Sequence, residues 1–478
     1  MSVPEIDLVI LGSGSTAFAA ALRAQELGKN SLMIEERSIG GTCVNRGCLP
    51  SKNLIEAAKL VHDARHPRYP GLAPAEVLVD FRALVQQKDE VVHGYRQKKY
   101  DSLIGGRFSV EHGHAEFIDA HTVAVDGRRF RGRAVLVATG SRPAVPDIEG
   151  LSRIPFLTSD LLTVNEKEEL TELPRSLLIL GAGYVALELG QMFARFGVEV
   201  TLLERSHELL SHGYEPEVGP VVREILEAEG LRILRSATVL RVRNDGDGVV
   251  AEVKHAAGRE TLKAQRMLVA AGRRPNADRI WIERSGVRIH RRGQVVVDEF
   301  LRTSVPHIFA AGDVIGDEQQ AQMSTPVGSQ DGGIVAHNAL TPEEPPRAVD
   351  HRVIPRAIFI DPPVSVVGLT EKDAVEAGHA CWCRTLPMSI VPRAGAIRDT
   401  RGIVKMVADA NTGEVLGVTM IGQAAAEVIH EAAMALRFRA KLRDFIDQLH
   451  VYPTMAEALK IAAISRFKDP EKLSCCAE

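Results

Sequence analysis

Short apolar runs and a helical spacing of apolar residues alternate over the first forty positions of the chain. The segment DLVILGSGSTAFAAALRAQELG opens with an apolar run, passes through a glycine turn and continues with a helix-like pattern. A second apolar run, SLMIEE, follows it. An apolar run bounded by a turn is typical of a buried strand, so this order predicts a strand–loop–helix–strand unit.

The loop of this unit has the spacing of a dinucleotide-binding turn. Gly12 and Gly14 open a G-x-G-x-x-A pattern, and Ala17 occupies the third small position. Glycines here let the backbone approach a pyrophosphate at the N-terminus of the following helix. Either Glu35 or Glu36, about twenty residues further on, is expected to accept a hydrogen bond from a ribose hydroxyl.

The same order of strand, loop, helix and strand returns at SLLILGAGYVALELGQMFARFGVEVTLLER. Gly181 and Gly183 repeat the turn, and Glu204 ends the second strand. One such loop is a weak signal, because many tight turns contain similar glycines. Two complete units in one chain imply two dinucleotides, and two dinucleotides in one enzyme usually mean a flavin and a nicotinamide.

Further apolar runs extend this pattern to three domains. AVLVATGSRP and MLVAAGRRPN each end in small residues where a dinucleotide domain would close, and HIFAAGDV places Asp313 after a buried strand. After Val353 come alternating strands such as AIFIDPPVSVVGL and IVKMVAD, and then helices. The predicted class is α/β, with two Rossmann-like domains and a C-terminal α+β domain. The expected segments are 1–155 with 276–346, then 156–275, 347–468 and a tail at 469–478.

Composition and charge exclude several classes of protein. The chain has 478 residues, 45% of them hydrophobic, and a net charge of −4 without a long basic run, so nucleic acid is not an expected partner. No run reaches the ~18 apolar residues of a membrane span. The apolar run 8–22 follows acidic residues and contains glycines, unlike a secretory signal. Six cysteines are too few for a disulfide scaffold, so a cytoplasmic protein with special-purpose thiols is expected.

The stretch GGTCVNRGCLPSK carries the first thiol pair, Cys43 and Cys48. Residues five apart on an ideal helix are separated by about 7.5 Å, whereas a disulfide needs Cα atoms within about 7 Å. The pair can therefore form a bridge only across a distorted turn, which Gly40, Gly41 and Gly47 permit. A helix beginning here would favour the thiolate at its positive end. The functional interpretation is a redox disulfide stacked against a flavin, and the alternative is a pair of inert buried cysteines.

These motifs together resemble a known family. GGTCVNRGCLPSK, the two dinucleotide loops, ATGSRP and AAGDV, in this order, are similar to the pyridine-nucleotide disulfide oxidoreductases over essentially the whole chain. The resemblance implies FAD on the first unit, NAD(P)H on the second and a homodimer closed by the third domain. It implies that Cys48 is a charge-transfer thiolate beside the flavin and that Cys43 exchanges with the substrate. It also implies an ion pair of Lys52 with Glu188 beside the flavin, and a gate over the nicotinamide pocket at Tyr184.

The same resemblance implies the residues that bind the cofactors. For FAD they are Gly12, Gly14, Ala17, Glu35, Thr42, Lys52, Ala115, Thr139, Gly140, Asp313 and Ala321. For the nicotinamide dinucleotide they are Gly181, Gly183, Glu204 and Arg205. The residues leave NADPH and NADH open, because the glutamate suits a ribose hydroxyl whereas the arginine suits a 2′-phosphate. The family favours NADPH.

One segment near the C-terminus separates the members of this family. Disulfide-reducing members have a His-Pro-Thr segment there, with a glutamate five residues after a histidine that acts as acid and base. Here the segment is HVYPTMAEALK, in which Tyr452 stands in the histidine position and Glu457 keeps the glutamate. A tyrosine, with a pKa of about 10, is a poor proton shuttle at neutral pH. The alternative is that His450, two residues earlier, shifts register and takes the role.

The tail KLSCCAE carries two adjacent cysteines, Cys475 and Cys476. Their Cα atoms are about 3.8 Å apart, short for a disulfide, so the pair suits a soft metal ion. An incidental terminal pair is the alternative. With Tyr452 and the stretches VPRA and DTRG, the tail resembles the mercuric reductase branch of the family. This resemblance implies that NADPH reduces Hg(II) to Hg(0), with Cys43 and Cys48 receiving the ion from the other subunit's tail.

Several expectations accompany the mercuric reductase resemblance. Many members of that branch carry an additional N-terminal metal-binding domain with a C-x-x-C pair. This chain begins at the predicted flavin domain, so Hg(II) is expected to arrive as a complex with small thiols or with another protein. A disulfide reductase with an unusual substrate and a non-enzymatic thiol protein that sequesters or senses soft metals are the alternatives. The CWC stretch, Cys381 and Cys383, is expected to be a partly buried structural pair, with a second metal-binding site as the alternative.

Overall fold

The computed structural model describes residues 5–101, 103, 108–246, 248–316 and 323–472. Three of the predicted site residues, Ala321, Cys475 and Cys476, lie outside these described residues. Within the described part of the chain, no helix combines the length and the apolar character that a membrane crossing requires.

The N-terminal part of the chain begins with the predicted strand, loop, helix and strand, and these are confirmed. Its elements, in order, are β1 (Glu5–Leu11), α1 (Ser15–Glu26), β2 (Ser31–Glu35), α2 (Gly41–Asn45), α3 (Cys48–Arg65), α4 (Phe81–Asp101), β3 (Phe108–His112), β4 (Ala115–Phe117), β5 (Thr122–Val125), β6 (Arg128–Val137) and β7 (Ser141–Pro143).

The middle part repeats this opening, as the second glycine loop predicts. Its elements are β8 (Ser176–Leu180), α5 (Tyr184–Arg195), β9 (Glu199–Leu203), α6 (Val218–Ala228), β10 (Arg232–Leu234), β11 (Thr238–Asp245), β12 (Gly248–His255), β13 (Gly258–Ala264), β14 (Arg266–Val269) and β15 (Arg273–Pro275).

The remaining elements complete the first unit and form a third one. They are β16 (Ile308–Ala310), α7 (Thr325–Leu340), β17 (Arg356–Ile358), β18 (Val364–Gly368), α8 (Glu371–Glu376), β19 (Cys381–Pro387), α9 (Pro392–Ala396), β20 (Ile403–Asp409), β21 (Val415–Ile421), α10 (Ala425–Arg437), α11 (Leu442–Asp447) and α12 (Glu457–Ile464). The stretch AIFIDPPVSVVGL divides into β17 and β18 at the cis peptide bond between Asp361 and Pro362, because proline cannot donate a hydrogen bond to a sheet.

The largest sheet belongs to the first unit. Its strands follow the order β3-β2-β1-β6-β5-β4, and β16 joins through β6. β1 pairs in parallel with β2 and β6, and β16 is also parallel to β6. β2 is buried at all five positions, as expected where both faces of a parallel sheet are covered. The carboxyl ends of β1, β6 and β16 therefore meet at one edge, where the first glycine loop and Asp313 lie.

The second and third units have their own sheets. A parallel sheet, β10-β9-β8-β14, repeats the arrangement of the first unit, and β11-β12-β13 forms a separate antiparallel sheet. The third sheet, β17-β18-β21-β20-β19, is antiparallel throughout, with β19 at its edge. The predicted α/β class is confirmed, whereas the domain boundaries stay predictions.

Close packing of α7 on α1 brings the N-terminus of α7 towards the first glycine loop. A Cβ atom on Gly332 would lie 2.1 Å from the carbonyl oxygen of Thr16, and one on Gly328 would lie 2.6 Å from Thr16 Oγ1. Only glycine permits this approach of two helices. The beginning of α7 consequently faces the same edge of the sheet as the loop.

Buried ion pairs fix the third unit against the second. Lys405 of β20 is 2% exposed, and its Nζ lies 3.0 Å from Glu215 and 2.9 Å from Glu217. Arg195 of α5 contacts Asp361 at 2.8 Å. Removing one partner of a buried pair leaves an uncompensated charge, so these contacts hold the two units in one arrangement.

Candidate functional site

The first glycine loop leaves open space in front of α1. Gly12 has φ +108°, and a Cβ there would lie 2.4 Å from the carbonyl oxygen of Ala138 at the end of β6. Gly14 caps α1 without a side-chain hydrogen bond, and a Cβ on it would meet nothing within 4 Å. The first backbone N–H groups of α1 thus face a space that suits an anionic pyrophosphate. Ala17 is fully buried and serves helix packing.

Glu35 and Glu36, the two candidates for the ribose ligand, have different contacts, and the choice between them stays a prediction. The carboxylate of Glu35 accepts hydrogen bonds from Ser13 Oγ at 2.5 Å and from the backbone N–H of Arg37 at 2.7 Å. Glu36 instead forms an ion pair with Arg279 at 2.9 Å and contacts His114 Nδ1 at 2.7 Å. Glu35, the last residue of β2, is thus the glutamate that the loop holds through Ser13.

Two neighbouring cavities form one groove through the first unit. The cavity beside the two thiols is the larger of the two. The residues lining both are Gly14, Thr42, Arg46, Ala138, Gly140, Ser141 and Arg273. The smaller cavity reaches the predicted FAD ligands Gly12, Glu35, Ala115 and Thr139, and the larger reaches Cys43, Cys48, Lys52, Tyr184, Glu188 and Asp313.

The groove fits FAD on chemical grounds. Thr139 Oγ1 lines it and is buried without a hydrogen-bond partner among the described residues, so it is available to a polar ligand. Asp313 is held by a 2.6 Å hydrogen bond from Ser141 Oγ, which in turn accepts one from Arg273 Nε at 2.6 Å. A long groove with a helix N-terminus, a ribose-type glutamate and fixed polar groups suits an extended dinucleotide.

The two cysteines of the groove lie on either side of a break between two consecutive helices, α2 and α3. Cys43 belongs to α2, and Cys48 is the first residue of α3. Gly47 forms the break, and a Cβ there would lie 3.0 Å from the carbonyl oxygen of Thr42. The distorted turn expected from the sequence is therefore present, and both cysteines are free thiols.

The surroundings of Cys48 favour its thiolate. The hydrogen bond from the Cys43 thiol lowers the pKa of Cys48 to about 6, with further contributions from the Thr325 hydroxyl and the Lys52 charge that outweigh burial. The same hydrogen bond and burial raise the pKa of Cys43. The arrangement thus favours the negative charge on Cys48 and the proton on Cys43.

Thr325 is a site residue that sequence reasoning missed. Its Oγ1 lies 3.7 Å from Cys48 Sγ, at the beginning of the 16-residue helix α7. The signal available in the sequence was Ser324-Thr325-Pro326 before a helical pattern, which is typical of a helix N-terminus. That signal predicts a helix start, but not its approach to Cys48.

Lys52 and Glu188 form the ion pair that the family implies. Lys52 Nζ lies 2.7 Å from Glu188 Oε2 and 4.7 Å from the centre of the Phe359 ring. The other oxygen of Glu188 accepts a 2.8 Å hydrogen bond from the backbone N–H of Phe359. The pair thus joins the thiol helix α3, the second unit and the third unit at one point beside Cys48.

Tyr184 stands at the boundary between the two dinucleotide units. It is the first residue of α5, lines the larger cavity and keeps 45% of its surface exposed. Desolvation by the surrounding protein raises its pKa to about 12, although the nearby Arg273 charge opposes this shift. Its phenol therefore stays protonated across the physiological range.

The second glycine loop copies the first. A Cβ on Gly181 would lie 2.5 Å from the carbonyl oxygen of Ala270, and Gly183 begins α5 with open space beside it. Glu204 accepts hydrogen bonds from the backbone N–H groups of Ala182 at 3.1 Å and Ser206 at 2.6 Å. Arg205 is exposed next to it. The second unit thus also has the geometry of a dinucleotide site.

The segment HVYPTMAEALK holds the residues that correspond to the acid–base position of disulfide reductases. Tyr452 is 46% exposed, next to a cis bond to Pro453. Glu457 is buried and accepts a hydrogen bond from the backbone N–H of Thr454 at 3.1 Å. His450 contacts Glu431 Oε1 at 3.0 Å, and its side chain is 4% exposed. The histidine thus contacts Glu431 through Nε2, while its buried Nδ1 has no hydrogen-bond partner among the described residues, and the choice between Tyr452 and His450 for the acid–base position stays a prediction.

Comparison with known proteins places this geometry in a family. The description "Pyridine nucleotide-disulphide oxidoreductase" matches residues 6–332, and the dimerisation domain of the same family matches residues 354–463. The chain belongs to this family. Membership implies use of FAD and NAD(P)H, and the dimerisation domain supports a homodimer.

Similar proteins narrow the comparison within the family. Mercuric reductase from Streptomyces lividans is 41% identical over 478 residues, covering 98% of this chain and 98% of that protein. Mercuric reductase from Lysinibacillus sphaericus is 39% identical over 472 residues, covering 98% of this chain and 84% of its own length. The solved structure of the HOCl-induced flavoprotein disulfide reductase RclA from Escherichia coli is 32% identical, with a TM-score of 0.84, covering 97% of this chain and 100% of that one.

Proposed function

We propose that this enzyme reduces thiol-bound Hg(II) to Hg(0) with electrons from NADPH, through FAD and the Cys43–Cys48 pair. The overall reaction consumes one NADPH, one proton and one Hg(II) dithiolate, and yields NADP⁺, Hg(0) and two thiols. The observation that carries the proposal is the Cys48 thiolate site beside Thr325 and Lys52, combined with a tyrosine where disulfide reductases have a histidine. The similarity to curated mercuric reductases supports it.

The chain's own residues would prepare the thiols for a metal ion. FAD, when bound, supplies the two-electron relay between the nicotinamide and the thiols. Cys48 would keep its charge because Lys52, Thr325 and the Cys43 thiol stabilise it. Cys43 would release its proton as it bonds to the ion. Since ligand exchange between thiolates needs little proton relay, Tyr452 in the histidine position is compatible with this chemistry.

The remaining site residues have supporting roles in the proposal. Tyr184 would cover the nicotinamide pocket until the dinucleotide enters. Lys52 and Glu188 would fix the charge beside the flavin ring. The partner subunit's tail, with Cys475 and Cys476, would deliver the ion, which arrives as a thiol complex.

The proposed electron donor is NADPH. Glu204 already accepts two backbone hydrogen bonds within its loop, and Arg205 is exposed beside it to meet a 2′-phosphate. A glutamate at this position would also admit the ribose hydroxyl of NADH, so slower turnover with NADH is expected.

The decisive experiment follows anaerobic NADPH oxidation by the holoenzyme with Hg(II) in excess monothiol, while trapped vapour is analysed for Hg(0). The expected result is one Hg(0) per NADPH. In the variant Cys475→Ala/Cys476→Ala, turnover of thiol-bound Hg(II) should be lost while NADPH still reduces the flavin. Unchanged turnover in that variant would refute the role of the tail, and absence of Hg(0) with the unaltered enzyme would refute the function.

A disulfide reductase is the second candidate. The similar solved structures are described as a flavoprotein disulfide reductase, and one of them is a Cu(II) complex, 30% identical with a TM-score of 0.84. The exposed Tyr452 argues against proton-coupled disulfide cleavage here. NADPH oxidation with glutathione disulfide or lipoamide, and none with Hg(II), would establish this alternative. A purified protein without bound flavin would instead indicate the non-enzymatic metal-binding protein.

A further inference from the structure

Cys381 and Cys383 form a second thiol pair that the proposed reaction does not use. They lie two residues apart on β19, the edge strand of the third sheet, so their side chains share one face. Their Cα atoms are 6.1 Å apart and their sulfur atoms form a disulfide. Both residues are half-buried, which leaves part of each side chain accessible.

The strand around this pair is held rigidly. Cys383 pairs with Val407 of β20, and β19 is paired with β20 along its whole length. The two cysteines pack beside the apolar side chains of Ala374, Val407 and Leu416. Trp382, between them, points to the opposite face, where it packs against the core of the third unit and stacks with Arg466, 5.6 Å from its ring centre. The separation of the two Cα atoms is thus set by the sheet.

We propose that Cys381 and Cys383, once reduced, bind one thiophilic cation between their two thiolates. In a linear arrangement the sulfur atoms lie about 4.6 Å apart, twice a metal–thiolate bond of about 2.3 Å. Two side chains on one strand face, with Cα atoms 6.1 Å apart, can reach this separation by rotation about χ1. Among the described residues no group of three or more His, Cys, Asp or Glu could hold a metal, so the ion would have two ligands. Two thiolates alone favour a soft ion over Zn²⁺ with its four ligands.

Each step of this binding balances. Two monothiol molecules reduce the disulfide: they are oxidised to one disulfide, and Cys381 and Cys383 receive two electrons and two protons. The cation then arrives as a bis-monothiolate complex. Two metal–sulfur bonds to the monothiolates break, two form to the cysteines, and the two cysteine protons pass to the released monothiols. The metal is neither oxidised nor reduced, so this site is independent of the proposed mercury reduction.

Trp382 provides a local reporter for the experiment. The chain has two tryptophans, and Trp281→Phe leaves Trp382 alone between the two thiols. The full-length holoenzyme is also changed at its other cysteines (Cys43→Ser, Cys48→Ser, Cys475→Ala and Cys476→Ala), so that the second pair is the sole thiol pair. After reduction with excess monothiol, Hg(II) is titrated in the same monothiol. Trp382 fluorescence and the mass of the intact chain are recorded.

The expected result is one Hg(II) bound per chain by intact mass, with a change in Trp382 fluorescence transmitted through β19, because the Trp382 ring lies on the face opposite the two thiols. Cys383→Ser in the same background leaves one thiol as the matched control, and its apparent affinity should be about 100-fold weaker or more, because the second thiolate no longer acts intramolecularly. Flavin absorbance checks that each variant is folded. Absence of a bound ion in a folded parent, or equal affinity in Cys383→Ser, would overturn the proposal. Since this background lacks the first thiol pair, either outcome is independent of mercury turnover.

Discussion

The two thiol pairs in the described part of the chain differ more in their surroundings than in their spacing. Cys43 and Cys48 lie across a break between two helices, inside a groove built for a dinucleotide. Cys381 and Cys383 lie on an edge strand. Both pairs bring two sulfur atoms close together, so proximity alone does not decide which pair is reactive.

Charge and hydrogen bonding separate the two pairs. Cys48 has a helix N-terminus, the hydroxyl of Thr325 and the ammonium of Lys52 nearby, and all three favour a thiolate. Cys381 has apolar neighbours and pairs across the sheet with the carboxylate of Asp409, whose pKa is lowered to about 2 by its hydrogen bond with His379. A carboxylate and an apolar surface disfavour a thiolate. We therefore expect fast electron transfer at the first pair and slow ligand exchange at the second.

Removing the charged thiol of the first pair should have the largest effect. In Cys48→Ser, NADPH-dependent Hg(II) reduction should fall at least about 1000-fold, because the hydroxyl is neither a thiolate nor a metal ligand of comparable strength. The measurement is steady-state Hg(0) production. FAD content and the rate of flavin reduction by NADPH in the same variant serve as controls and should remain near the original values. Retention of a tenth of the turnover would show that Cys48 is not required.

Changing the ion pair should shift the pKa of Cys48 in opposite directions. That pKa is about 6, so the thiolate is present above about pH 6 and is lost as the pH falls through this value. Lys52→Met removes a positive charge that lowers the pKa of Cys48, so the thiolate of this variant should be lost at a higher pH. Glu188→Gln removes a negative charge that raises the pKa, so its thiolate should be lost at a lower pH. Shifts of about one unit are expected.

The pH dependence of Cys48 alkylation by iodoacetamide in the reduced holoenzyme, read by mass spectrometry of its peptide, measures these shifts. Glu188→Gln keeps an oxygen for the backbone N–H of Phe359, so its effect reports charge rather than lost packing. Shifts in the same direction for both variants would contradict the electrostatic account.

The Thr325 hydroxyl should have a smaller effect. Thr325→Val has a similar shape but cannot hydrogen-bond to either sulfur atom, and a bond to a charged group is worth about 1.5 kcal/mol or more, roughly tenfold in rate. Stopped-flow reduction of the thiol pair should therefore slow by about tenfold. Thr325→Ser keeps the hydroxyl and should stay within about twofold. Equal rates in the two variants would remove Thr325 from the site.

Local patterns in the sequence were sufficient to predict much of the fold. The apolar run of β1, the loop at Gly12 and the helix after it are all encoded within about twenty residues. The division of the stretch AIFIDPPVSVVGL into two strands at Pro362 was also visible in principle, since proline breaks a ladder of hydrogen bonds.

Contacts between distant residues set the limit of prediction at the site. The contact that distinguishes Glu35 from Glu36 is made by Ser13, 22 positions away, and the approach of Thr325 to Cys48 joins residues 277 positions apart. The ion pair of Lys52 with Glu188 spans 136 positions and was predicted only through the family resemblance. Spacing and periodicity carry no information on such pairs, whereas a family with a fixed fold does.

The disulfide of the second pair should contribute little to stability, which is the smallest of the expected effects. Cys381 and Cys383 are separated by two positions, so the bridge closes a very short loop and restricts the unfolded chain only slightly, by less than about 2 kcal/mol. Thermal unfolding of Cys381→Ser/Cys383→Ser, followed by circular dichroism, should therefore lie within a few degrees of the unaltered protein. Because β19 remains hydrogen-bonded to β20 without the bridge, the sheet itself should persist. A fall in the unfolding temperature of more than about ten degrees would mean that the disulfide stabilises the fold. The pair would then be structural rather than a reversible thiol pair.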